Sequence, residues 1–167
     1  RPLIDAHLDL AWNAISFDRD QLLEVDELRR REAGMTGKSR GNCTVSLAEM
    51  KRGGIRVCLA TLLCRVLPAN LGELDNNLGA IGERKHGEII LREDLDFANQ
   101  TIACAAAQAQ LAYYRLLEQQ GRMKMILTSA DLDEHWARTD APLGIILSME
   151  GCDPIIEPAQ AEWWYEQ

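Results

Sequence analysis

The stretch RPLIDAHLDLAWN, residues 1–13, decides how the chain is read. Residues 2–9 read as a first β-strand, in which side chains at i, i+2 and i+4 leave from one face. Ile4, Ala6, Leu8 and Leu10 then form an apolar face, and Asp5, His7 and Asp9 form the opposite one. A surface strand would alternate apolar residues with Lys, Thr or Ser. An ionised carboxylate withdrawn from water costs several kcal/mol unless it is protonated, paired with a cation or bound to a metal. The opening strand therefore needs a partner for its acidic face.

Working outward, the chain supplies further strands. IRVCLATLLC (55–64) is apolar except for Arg56 and Thr61, and fits a strand covered on both faces. MKMIL (123–127) reads as a short strand and PLGIILSME (142–150) as another buried one.

Helices separate them. Leu22, Leu23, Val25 and Leu28 predict a helix within residues 18–33, and MTGKSRGNCT (35–44) reads as a loop. Ser46 followed by Glu49 forms a capping box for a short helix that Gly53-Gly54 stops. Residues 67–94 read as a long mixed excursion. The strongest helical signal covers 95–120, where Ile102, Ala106, Ala109, Tyr113 and Leu116 recur at three- and four-residue intervals before Gly121. Thr128 with Asp131 opens another helix over 128–138, and AQAEWWYEQ (159–167) begins a last one. Apolar strands alternating with helices define an α/β class with a parallel sheet. Neither a G-x-G-x-x-G after a strand nor a phosphate-loop motif is present.

The bulk composition narrows the partners. The 167 residues are 47% hydrophobic and 26% charged, enough for a single core-forming domain. A net charge of −8 argues against nucleic acid as a partner. Arg29-Arg30-Arg31 and Lys51-Arg52 lie among acids and read as solvated helix surface. No apolar run reaches the roughly 20 residues of a membrane span. Five cysteines without C-x-x-C spacing indicate no disulfide framework, and Cys58, Cys64 and Cys104 lie in apolar runs. With no visible signal peptide, these features favour a cytoplasmic location.

Two strand ends carry the candidate chemistry. One holds His7 and Asp9; the other holds Glu150, after LGIILSM and before Gly151. Active sites of parallel α/β folds gather at the carboxyl ends of strands. Imidazole with carboxylate suits Zn²⁺, and a carboxylate can bridge two ions. The residues alone leave a second reading open: a hydrogen-bonded histidine beside acids that cap loops or helices. Asp5, deeper in the strand, reads as an acceptor of backbone N–H groups or a ligand-orienting group.

IDAHLDLAWN, SLAEMKRGGIRVCLATLL, LGIILSMEGCDPI and AEWW resemble, in order, the first half of the membrane dipeptidase (renal dipeptidase) family of metallopeptidases. The resemblance implies the N-terminal part of an amidohydrolase-like (β/α)₈ barrel, residues 1–167 being one portion of a single domain. It implies two zinc ions, His7 and Asp9 on one and Glu150 bridging to the second, and hydrolysis of dipeptides through an activated water. It also implies that the second ion's histidines and a later catalytic aspartate lie beyond Gln167. A homodimer would be compatible with it.

The chain departs from the family pattern D-G-H-N-D-x-P at Ala6, Leu8 and Ala11, and Cys152-Asp153 follows E-G where the family often has a small residue and a histidine. Both departures bear on the substrate pocket. His86 reads as a loop residue and His135 as an exposed helix position. Two other readings are a non-catalytic fragment or interaction module, and a different amidohydrolase-type hydrolase. That wider group commonly shows H-x-H where this chain has His7 and Asp9.

Overall fold

The computed structural model describes residues 1–37, 39–67, 84–85, 88–89 and 95–167. Strand β1 (Leu3–Leu8) leads into helix α1 (Leu10–Phe17), followed by α2 (Val25–Arg31) and α3 (Leu47–Arg52). Strand β2 (Ile55–Leu63) runs on to the short β3 (Arg65–Val66). The two-residue strands β4 (Arg84–Lys85) and β5 (Glu88–Ile89) pair antiparallel. After β6 (Asp96–Phe97) come α4 (Gln100–Gln119), β7 (Met123–Met125), α5 (Ser129–Ala137), β8 (Leu143–Glu150) and α6 (Gln160–Tyr165). Most of the excursion read at 67–94, including His86, lies outside the described residues.

The chain divides into two compact units. The first, Arg1–Leu62 with Ala109–Met149, holds a four-stranded sheet in the order β1-β2-β8-β7. The β1–β2 and β7–β8 pairs are parallel, as the alternation of strands with helices predicts. Strand β8 continues one residue past this unit's boundary, so Glu150 ends a strand of that sheet. The second unit, Leu63–Gln108 with Glu150–Gln167, contains the parallel β3–β6 pair. There Arg65 is paired with Asp96, and the Val66 N–H donates to Asp153 Oδ1 at 2.8 Å.

Local signals in the sequence account for the helix ends. The Ser46 hydroxyl accepts from the Glu49 N–H, but the Glu49 carboxylate pairs with Arg52, so only half of the capping box forms. At α5 the reciprocal box of Thr128 and Asp131 is complete. The Thr128 hydroxyl and the N–H groups of Leu127 and Thr128 hold the Asp131 carboxyl below its usual range. Gly121, at φ 69°, ends the segment after α4 in a backbone region that other residues rarely enter.

Three expectations are corrected. Helix α1 stands directly after β1, where the sequence showed only a strand and a polar segment. Its apolar residues Leu10, Ala11, Ala14 and Phe17 are spaced for a helix and buried. The second correction concerns α4, whose buried stripe is Ala103, Ala107, Gln110, Leu111, Tyr114 and Leu117, one position along from the predicted one. Ile102 and Leu116 are exposed. Both stripes are apolar; small alanines and a phenol with polar partners make the inward one. Thirdly, His135 is 4% exposed rather than on the surface, and its Nε2 lies 3.3 Å from the Arg56 carbonyl oxygen. Burial pushes its pKa below the usual histidine value.

Gly144 on β8 makes room for that ring. A Cβ there would stand 2.7 Å from both His135 Nε2 and Ile126 Cδ1. Gly144→Ala is therefore expected to cost about 1–3 kcal/mol by overpacking. Urea denaturation measures it, and the double variant Gly144→Ala/His135→Ala should recover part of the loss.

Candidate metal centre

Strand β1 is irregular where its polar groups sit. Leu3, Ile4, Asp5 and Leu8 pair with Ile55, Val57, Cys58 and Ala60, and the register shifts between Asp5 and Leu8. Asp5 Oδ1 accepts the His7 N–H at 3.1 Å, a local bond that competes with the strand ladder. Asp5 thus takes the backbone-acceptor role that its depth in the strand predicts. The expected apolar face is only partly covered: Ile4 is 56% exposed on β1, which is outermost among the described strands of its sheet.

The strand ends at Leu8, so Asp9 is not a strand residue. It is the N-cap of α1, at φ −88° and ψ 55°. His7 and Asp9 nevertheless meet, with His7 Nε2 lying 3.5 Å from Asp9 Oδ1. At the carboxyl end of β8, Glu150 precedes Gly151, whose φ of 79° turns the chain away at once. One ligand atom each from His7, Asp9 and Glu150 lie within 4.8 Å of one another. Two strands distant in sequence therefore bring together the three groups singled out from it.

The donor set fits a zinc-like cation. Four-coordinate zinc with bonds near 2.1 Å separates its donors by about 3.4 Å, so small side-chain rotations close this triangle around an ion. The side chain of His7 is 56% exposed and that of Asp9 24%, which leaves approach from solvent open. Cys152 is exposed and stands outside this cluster. Cys58 lies on β2 opposite Asp5, fully buried, where desolvation and then the charge of Asp5 push its thiol up to about 12. It is unsuited to act as a nucleophile. Cys64 is equally buried, whereas Cys104 is half-buried.

Sequence reasoning missed two neighbours of the cluster. The Thr61 hydroxyl is hydrogen-bonded to Asp9 Oδ1 and lies 3.3 Å from the Leu8 carbonyl oxygen. The hydroxyl of the buried Tyr114 donates to the Thr61 carbonyl at 3.0 Å and accepts the Ala11 N–H at 3.1 Å. Burial drives the Tyr114 phenol well above its ordinary pKa, keeping it neutral. Thr61 was visible as one of two polar residues in an apolar strand. No local pattern marks Tyr114, whose partners lie 53 and 103 residues away.

The fold class is thus α/β with a parallel sheet, the candidate ligands converging at the carboxyl ends of its strands. Among solved structures the chain is similar to "dipeptidase AC", a metallopeptidase of family M19, at a TM-score of 0.59 and 19% identity, covering 99% of this chain. It is also similar to a metallopeptidase from Rhodobacter sphaeroides liganded with a phosphinate mimic of the dipeptide L-Ala-D-Ala. There the TM-score is 0.57 and the identity 18%, again over 99% of this chain. The chain spans 41% and 42% of the length of those two proteins. At this identity the likeness is one of fold: the chain has the fold of part of an M19 dipeptidase-type metallopeptidase. No family profile and no curated protein matches the sequence.

Proposed function

We propose that the chain carries part of the catalytic centre of a zinc-dependent dipeptidase. His7 and Asp9 would hold one ion, and Glu150 would bridge it to a second. The observation that carries this reading is the convergence of one imidazole and two carboxylates within 4.8 Å at the ends of β1 and β8. The likeness of the fold to M19 metallopeptidases supports it.

Bound there, zinc would supply a Lewis acid and lower the pKa of an attacking water. The chain's own residues prepare the place. The Asp5 carboxylate fixes the His7 backbone, and so the direction from which the imidazole enters. Thr61 holds Asp9, and the turn at Gly151 leaves Glu150 at the strand tip. With two carboxylates this close, like-charge repulsion is relieved by a cation, so metal and folded state should stabilise each other.

The reading is tested by heating the chain with and without zinc and assaying it on L-Ala-D-Ala. Zinc at 100 times its Kd should add about 2.7 kcal/mol of stability. Slow hydrolysis that a chelator abolishes is the expected activity. An unchanged melting temperature, or hydrolysis insensitive to chelation, would contradict the proposal. Zinc stabilisation without turnover would support instead the second reading, a metal-binding but non-catalytic module.

A further inference from the structure

An aspartate at a helix N-cap ordinarily turns its carboxylate onto the N–H of the second or third helical residue. Asp9 occupies that position in α1 and makes no such bond. Its backbone still plays the capping part, the Asp9 carbonyl accepting the Asn13 N–H at 2.9 Å. The side chain has been withdrawn. The second helical N–H, that of Ala11, is satisfied by the Tyr114 hydroxyl, which arrives from α4.

We propose that Tyr114 substitutes for Asp9 as the side-chain cap of α1, and that Thr61 holds the carboxylate so released in place for a cation. The inference rests on the metal-centre reading above and assigns two positioning residues to it. The physical argument is one of competition. A carboxylate swung onto the Ala11 N–H would no longer be held beside His7, from whose Nε2 its Oδ1 now lies 3.5 Å. If the Ala11 N–H were left unpaired, the Asp9 carboxylate, standing at the N-cap, would be drawn onto it, at a gain of about 1 kcal/mol or more. Turning back to the helix would take the carboxylate from His7 and Glu150.

Tyr114 removes that incentive. A neutral, buried phenol accepts one N–H and donates to one carbonyl, satisfying both α1 and β2 without adding charge beside the ligands. The Thr61 hydroxyl then occupies Asp9 Oδ1 from the β2 side, fixing the carboxylate plane. The same β2 residue offers its hydroxyl to Asp9 and its carbonyl to Tyr114, so the two devices share one anchor.

The test measures affinity for Co²⁺, by its visible absorption and by competition with a chelator, in the full chain. The variants are Thr61→Val, Thr61→Ser and Tyr114→Phe, each checked for folding by circular dichroism. Thr61→Val and Tyr114→Phe should weaken binding about 10- to 100-fold, the usual effect of losing a group that orients a metal ligand. Thr61→Ser, which keeps the hydroxyl, should bind like the parent. A crystal structure of metal-free Tyr114→Phe should show the Asp9 carboxylate on the Ala11 N–H. If Tyr114→Phe does not fold, the Val–Ser contrast at Thr61 decides the role of Thr61, and Tyr114→Met, flexible, no larger and without a hydroxyl to take the Ala11 N–H, replaces it with the same affinity readout.

A folded Thr61→Val or Tyr114→Phe that binds Co²⁺ as tightly as the parent would overturn the inference while leaving the metal centre standing. A parent chain that binds neither Co²⁺ nor zinc would overturn both.

Discussion

Replacing Glu32 with glutamine is expected to destabilise the chain by about 3–5 kcal/mol, because it strands a buried guanidinium. The side chains of Arg19 and Glu32 are each only 4% exposed. They meet in a two-point contact, Arg19 Nε donating to Oε1 at 2.7 Å and Nη2 to Oε2 at 2.9 Å. Arg19 also donates to Asn13 Oδ1 and to the Ser39 carbonyl, both at 2.6 Å. Glu32 accepts the Gly41 N–H at 2.7 Å, and the Arg19 guanidinium stacks 4.6 Å from the centre of the Phe17 ring. The network ties the end of α1 to the segment after α2.

The same pair sets an acid limit. The Arg19 hydrogen bond, against the opposing cost of burial, lowers the Glu32 carboxyl to about 2, from an ordinary 4.5. A depressed carboxyl contributes stability that is fully present above its unfolded value and is lost as pH falls towards its folded one. Stability at pH 7 should therefore exceed that at pH 2 by about 3 kcal/mol from this group alone. Glu32→Gln should flatten the dependence between pH 4.5 and 2. Urea titrations of both proteins across that range check it; a loss below 1 kcal/mol at pH 7 would contradict the account.

The second large effect concerns the ligands. Asp9→Asn and Glu150→Gln preserve shape but remove charge, and each is expected to weaken zinc binding by more than about 100-fold. That exceeds what losing an outer partner costs. Neither change should destabilise the metal-free chain, since each relieves repulsion within the acidic cluster. Calorimetric titration with zinc and a thermal melt of the same samples test both halves. Tight zinc binding by Glu150→Gln would remove Glu150 from the site.

The features legible in the sequence were those written in local spacing. β2 and β8 announced themselves as apolar runs, and Ser46 and Thr128 marked helix starts by their own hydroxyls. His7, Asp9 and Glu150 could be singled out because charge at the end of an apolar strand needs an explanation. The less legible features depend on what lies opposite. Which stripe of α4 faces inward is decided by the fit of Ala103 and Ala107, since both stripes are apolar. His135 is buried because Gly144 makes space for it from another strand. Helix α1 was masked by the strand-like alternation that precedes it, which stops at Leu8 rather than Asp9. Tyr114 needed the fold, because its two partners come from β2 and α1.

Anomalous diffraction at the zinc edge, from crystals of the chain grown with zinc, tests the central claim most directly. The account predicts a peak within about 2.0–2.2 Å of His7, Asp9 and Glu150 together. A zinc-containing crystal with no peak there, or with its ion held by other side chains, would contradict it.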